Sequence, residues 1–150
     1  MNYFLDTSAL IKLYHREEGS TNPEAYLEKA DQALFLIIAG IAPLEFRSAF
    51  YRRVRMGELE PENMTTILQR FHDDLRFLES VTVSNRLFEE AIDVMDRVAA
   101  TNVLRTLDAL QLASALLYHQ TIPIDVFIAV ETNLLQVASQ YFSTYNPLES

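Results

Sequence analysis

Apolar residues along this chain fall into two kinds of run, and their alternation predicts the layout of the fold. Asn2 to Leu5, Leu34 to Ala39 and Asp125 to Val130 are short and almost unbroken, the pattern of strands covered on both faces. Between them apolar positions recur at helical spacing. Ala9, Leu10, Ile11 and Leu13 follow the polar turn Asp6-Thr7-Ser8, with Thr7 or Ser8 the expected N-cap. Asn22 and Pro23 open a helix expected to reach about Ala30. Pro43 opens one to about Met56, stopped by Gly57, and Pro61 opens another to about Arg76. Val81 to Val83 reads as a short strand, Ser84 or Asn85 caps a helix through Ala99, and Thr106 caps one through about His119. A last helix, about Asn133 to Gln140, leads to a weak strand near Ser143 to Tyr145.

Strands separated by one or two helices need crossover connections. The expected architecture is therefore α/β, a parallel sheet with helices on both faces. No linker, low-complexity tract or repeat divides residues 1–150, so a single domain is expected. Open sheets of this kind bind ligands beyond the carboxyl ends of their strands, and Asp6 sits at one such end.

Composition narrows the chemistry. With no cysteine, disulfide frameworks, thiolate zinc sites and thiol nucleophiles are excluded, and a reducing compartment is compatible. His15, His72 and His119 are too scattered to form a metal cluster. No stretch resembles a signal peptide and no apolar run approaches the roughly 18 residues of a membrane span, so a cytoplasmic protein away from membranes is expected. The net charge of −9 argues against coating nucleic acid with a broad basic surface. Its distribution is uneven: residues 1–55 hold seven Lys or Arg against seven Asp or Glu, whereas residues 56–150 hold five against fourteen. Arg47, Arg52, Arg53 and Arg55 form the one dense basic cluster.

Four acidic residues stand in apolar surroundings at strand ends or helix starts: Asp6, Glu45, Asp108 and Glu131. Ionised carboxylates are rarely buried unless paired or bound to metal. A parallel sheet can gather all four at one edge although 39, 63 and 23 positions separate them. Four such charges would repel one another and raise some pKa values, and a hard divalent cation resolves the conflict. The metal could orient and deprotonate a water and stabilise the charge developing on a phosphodiester. No Gly-rich phosphate loop, Ser/His/Asp set or Cys nucleophile competes. The plain structural alternatives are a helix cap for Asp6, dipole complements for Glu45 and Asp108, and a solvated loop residue for Glu131.

The segment Phe4-Leu5-Asp6-Thr7-Ser8-Ala9-Leu10-Ile11-Lys12-Leu13-Tyr14 closely resembles the opening of PIN-domain proteins, particularly toxin ribonucleases of VapC type. Leu104-Arg105-Thr106-Leu107-Asp108-Ala109-Leu110-Gln111-Leu112-Ala113 resembles their central helix, and Pro43-Leu44-Glu45-Phe46-Arg47-Ser48-Ala49 matches by order and position. The resemblance implies a three-layer α/β/α sandwich and a Mg²⁺- or Mn²⁺-dependent RNA endonuclease, often a homodimer neutralised by a small cognate antitoxin. Asp6, Glu45 and Asp108 match three family acids, and Ser8 and Thr7 match the polar residues beside the first, where a hydroxyl could hold a ligand carboxylate or a metal-bound water. The fourth position departs from the pattern. Relatives usually carry Asp there, with Ser or Thr one or two residues before it, whereas this chain has Glu131 preceded by Ala129 and Val130. That departure supports an alternative, a catalytically weak or inactive PIN-like module that binds RNA or a protein partner.

Arg47 and Arg52, on or near the helix of Glu45, are candidates for substrate phosphate, with Arg55 close by. The bland alternative pairs this basic face with Glu58, Glu60 and Glu62. Leu68, Phe71, Leu75 and Phe77, with Phe46, Ala49 and Phe50, suggest either ordinary core or a groove for a partner.

Overall fold

The computed structural model describes residues 1–15 and 35–149. The helix expected from Asn22 to about Ala30 lies outside the described residues. The described elements are β1 (Asn2–Leu5), α1 (Thr7–Ile11), β2 (Phe35–Ala39), α2 (Ala42–Arg55), α3 (Pro61–Asp74), β3 (Glu79–Val81), α4 (Asn85–Val98), α5 (Thr106–His119), β4 (Val126–Ile128), α6 (Thr132–Ala138) and β5 (Ser143–Tyr145). Short 3-10 turns follow α3 and β5. Among these residues no helix is long and apolar enough to cross a membrane.

The five strands are all parallel, in the order β3-β2-β1-β4-β5. The near-continuous apolar runs of β1, β2 and β4 have a direct cause, since both faces of the central strands are covered. Successive side chains serve opposite layers. On one face Tyr3, Leu5, Ile38 and Ile128 pack against Leu10, Phe46, Phe50 and Phe71 of α1, α2 and α3. On the other, Phe4, Ile37 and Phe127 pack against Leu87, Val94, Leu112 and Leu134 of α4, α5 and α6. Helices on both faces of a parallel sheet make this an α/β/α sandwich, as expected.

Aromatic stacking anchors both layers: Phe46 on Phe71 at 4.1 Å between ring centroids, and Phe4 on Phe127 at 5.2 Å. Tyr14 meets Phe46 and Phe71 edge-on and donates its hydroxyl to Asp74 at 2.6 Å. Truncating one of these phenylalanines to Ala would destabilise the fold by about 3–5 kcal/mol. Phe46, Phe50 and Phe71 are fully buried, so the residues considered for a partner groove are largely core; Phe77, 72% exposed, is the exception.

Several boundaries move for local reasons. Asp6 itself caps α1, accepting from the Ser8 backbone, in place of Thr7 or Ser8. Ser84 caps α4 as expected. Arg105, rather than Thr106, holds the cap position of α5. The third strand lies at Glu79–Val81, two residues before the apolar Val81 to Val83 run, because it pairs only with β2 at the edge of the sheet. Gly40, between β2 and α2, allows the close approach there: a side chain would meet the Val81 carbonyl at 2.4 Å. Gly57 ends the α2 region with φ of 75°, a conformation that favours glycine.

Candidate active site

Asp6 leaves the end of central strand β1, its backbone N–H donating to the Ile128 carbonyl of β4 at 3.0 Å. Glu45 lies in the first turn of α2, Asp108 in the first turn of α5, and Glu131 caps α6 just past β4. Because β1, β2 and β4 are parallel neighbours, α1, α2 and α6, which follow them, start at the same sheet edge, and the start of α5, the helix that leads into β4, is tied there through Gln111 to Thr7 and Glu45. Topology, rather than sequence proximity, therefore collects the acids.

Asp6 is buried, and its carboxylate accepts from both the hydroxyl and the backbone N–H of Ser8. The Ser8 oxygen in turn accepts from the Val130 N–H at 3.2 Å, tying the β1 turn to the segment that carries Glu131. Glu45 is held through one oxygen. The Thr7 hydroxyl donates to its Oε1 at 3.0 Å, and the Gln111 amide nitrogen reaches the same atom at 2.6 Å and the Thr7 oxygen at 2.9 Å. Thr7 and Ser8 thus hold the carboxylates of Glu45 and Asp6 and do not cap the helix.

The electrostatics record crowding. Burial pushes the Asp6 carboxyl up to about 6; Glu45 and Asp108 add repulsion, while the two Ser8 hydrogen bonds oppose the rise. Burial also raises Glu45, against lowering by Gln111 and Thr7, with Asp108 adding repulsion. Asp108 is raised by burial and then by Glu131, against the Arg105 guanidinium and backbone N–H. Asp6, Glu45 and Asp108 therefore lie within electrostatic reach of one another, and Glu131 lies beside Asp108.

Glu131 accepts from the Asn133 N–H through Oε1 at 3.0 Å, while its Oε2 is buried without a hydrogen-bond partner among the described residues. A buried, unbonded carboxylate oxygen is costly. Hard oxygen donors at a crowded anionic edge suit Mg²⁺ or Mn²⁺ by chemistry. Among the described residues, however, no three acidic or imidazole groups close on a single point, so binding an ion requires side-chain adjustment.

Gln111 has no part in the expectations from sequence, yet it bridges α5 to Thr7 and Glu45. Its signal was a polar residue inside the apolar run of α5, one turn after Asp108, where a solvated face would be expected. It is 1% exposed. The cationic candidates lie elsewhere: Arg47 is exposed, donates to the Pro43 carbonyl at 3.1 Å and lines a hollow with Thr65, Leu68, Gln69 and His72. Arg52 is exposed two turns beyond Glu45. Neither makes a hydrogen bond or ion pair with the four acids among the described residues.

Comparison with known proteins gives a family and a fold. The family model of the PIN domain matches residues 3–138. The VapBC-1 structure from nontypeable Haemophilus influenzae aligns with a TM-score of 0.67 at 12% identity, over 99% of this chain and 100% of that one. FitAcB from Neisseria gonorrhoeae gives 0.67 at 12%, over 99% of each. Mycobacterium tuberculosis VapC20, a sarcin-ricin-loop-cleaving toxin, gives 0.64 at 14%, over 89% of this chain and 93% of that one. No curated protein matches.

Proposed function

The chain belongs to the PIN-domain family, and we propose that it is a divalent-metal-dependent RNA endonuclease, the toxin of a toxin–antitoxin pair, acting through Asp6, Glu45, Asp108 and Glu131. One observation carries this most: carboxyl groups from β1, α2 and α5 meet at one sheet edge, each raised by burial and by its neighbours. Helix capping accounts for acids at this edge but not for the burial and mutual repulsion of Asp6, Glu45 and Asp108.

Mg²⁺ or Mn²⁺, when bound, supplies a Lewis acid for the phosphodiester and an acidified water for its hydrolysis. The chain's own residues prepare that site. Ser8 fixes the Asp6 carboxylate and joins it to Val130. Thr7 and Gln111 fix Glu45 through Oε1, leaving Oε2 as its ligand atom. Glu131 contributes the oxygen that lacks a partner. Arg47 and Arg52 are assigned to substrate phosphates. From the toxin–antitoxin complexes among the structural neighbours, such as the one from Klebsiella pneumoniae, we extend to this chain a small cognate antitoxin and, by family resemblance, a homodimer.

The test is cleavage of mixed structured RNAs by purified, partner-free protein in Mn²⁺ or Mg²⁺, beside Asp6→Asn and Asp108→Asn. Cleavage by the native chain and its loss in both variants is expected, and equal cleavage by the variants overturns the assignment. A second reading, an RNA- or partner-binding module of weak activity, is favoured by one feature: Glu131 spends an oxygen on capping its own helix. Binding without cleavage would select it.

A further inference from the structure

The dense arginine cluster lies on α2, the helix whose first turn carries Glu45. Its members separate into two groups. Arg53 is committed to the fold, donating to the Ala49 carbonyl at 2.9 Å and lying over the Phe50 ring at 5.4 Å. Arg52 and Arg55 are exposed, and among the described residues neither forms an ion pair. The pairing with Glu58, Glu60 and Glu62 that would have made this a neutral solvated face is not formed. Beside Arg52 and one turn before Arg55, Tyr51 exposes 48% of its surface.

Helical spacing orders these groups. Residues 45 and 52 share a side of α2, and Tyr51 and Arg55 share the adjoining solvent face by the i, i+4 rule. At 1.5 Å per residue, Arg52 lies about 10 Å and Arg55 about 15 Å along the helix from Glu45. An acidic centre is thus followed, down one exposed helix, by an aromatic plane with a cation beside it and a second cation one turn on. This occurs in a chain whose charge is otherwise strongly negative.

We propose that the solvent face of α2, formed by Tyr51, Arg52 and Arg55, is a track for single-stranded RNA leaving the carboxylate cluster. The proposal rests on the nuclease assignment above and names the form of its substrate. Arginines bind phosphates irrespective of sequence and position the strand. An exposed tyrosine offers a stacking plane for an unpaired base, which a duplex keeps within its own stack. The combination of an exposed aromatic plane with two guanidinium groups favours a single strand over duplex RNA and over an acidic protein partner, for which cations alone would suffice.

The test is fluorescence anisotropy of a labelled, unstructured RNA with the full chain in chelator, where binding is read without cleavage. Arg52→Gln/Arg55→Gln should weaken binding about tenfold at moderate salt. It should also flatten the dependence of log K on log salt by about 1.4, the loss of two phosphate contacts on a single strand. Tyr51→Leu should weaken binding about fivefold with the salt slope unchanged, and Tyr51→Phe should restore it. Arg97→Gln on α4, the control for lost charge, should leave binding as it was.

Native affinity and slope in the double variant would overturn the track. So would equal weakening by Arg97→Gln, or a fivefold loss for duplex RNA in Tyr51→Leu as large as for the single strand. Loss of an acidic protein's binding in the double variant, with RNA binding retained, would reassign the face to a protein. If instead Asp6→Asn cleaves like the native chain while the track variants lose RNA binding, the nuclease assignment fails and the track stands.

Discussion

Asp6 and Glu45 are held by side-chain hydrogen bonds, whereas Asp108 and Glu131 accept from no side chain among the described residues. Ser8 fixes Asp6 and is itself fixed by Val130; Thr7 and Gln111 fix Glu45. Glu131 accepts from the Asn133 N–H, and Asp108 is stabilised by the nearby Arg105 guanidinium and N–H. One half of the acidic edge is fixed by side-chain hydrogen bonds, and the other has fewer restraints. That division suits a cation with strict geometric demands, because the fixed half sets position and the adjustable half completes the shell.

The comparison breaks most severely if the fixed half is removed. Asp6→Asn is expected to lower kcat/KM for RNA by about a thousandfold while the protein stays folded, checked by circular dichroism beside the cleavage assay. The same residue gives a signature without activity. Its carboxyl titrates near 6 in the folded chain, above the ordinary 3.8, so the folded state holds the proton more tightly than the unfolded state does. Stability from this group is present below about pH 4 and lost as pH rises through 6. In chelator, the unfolding free energy of the native chain relative to Asp6→Asn should fall by roughly 3 kcal/mol between pH 4 and 7 in urea titrations. A pH-independent difference would mean that Asp6 is not strained by its surroundings.

A gentler break loosens the fixed half without removing a ligand. Gln111→Leu should lower activity about 10- to 100-fold and shift half-saturation to higher Mn²⁺, since Glu45 keeps its charge but loses its restraint. Unchanged metal dependence would make Gln111 a packing residue only. The smallest effect is expected in the adjustable half. Glu131→Gln should cost about tenfold in activity, and undiminished cleavage would remove it from the ligand set.

The same division governs what could be read from sequence. Asp6 was legible because a carboxylate ending a buried strand is anomalous by itself, and the α/β layout followed from unbroken apolar runs separated by helical ones. Gln111 was not, because its partners Thr7 and Glu45 are 104 and 66 positions away and only the folded chain juxtaposes them. The shift of β3 has a related origin: Glu79 and Ser80 are exposed, so their strand is defined by the free edge of β2 and leaves no apolar pattern. Phe46, Phe50 and Phe71 looked numerous enough to serve a partner, yet stacking against one another consumed them in the core. Individual anomalies were visible, but pairings between distant elements were not.

The bond from Val130 to Ser8 spans 122 positions, and the strand beside it, β4, is made after β1, β2 and β3. During synthesis, β1 and Asp6 emerge early but lack the neighbour that closes their edge until Ile128 and Val130 have left the ribosome. Whatever chemistry the acidic edge performs is therefore withheld from the growing chain. The nascent chain is without the completed acidic edge until β4 has been made.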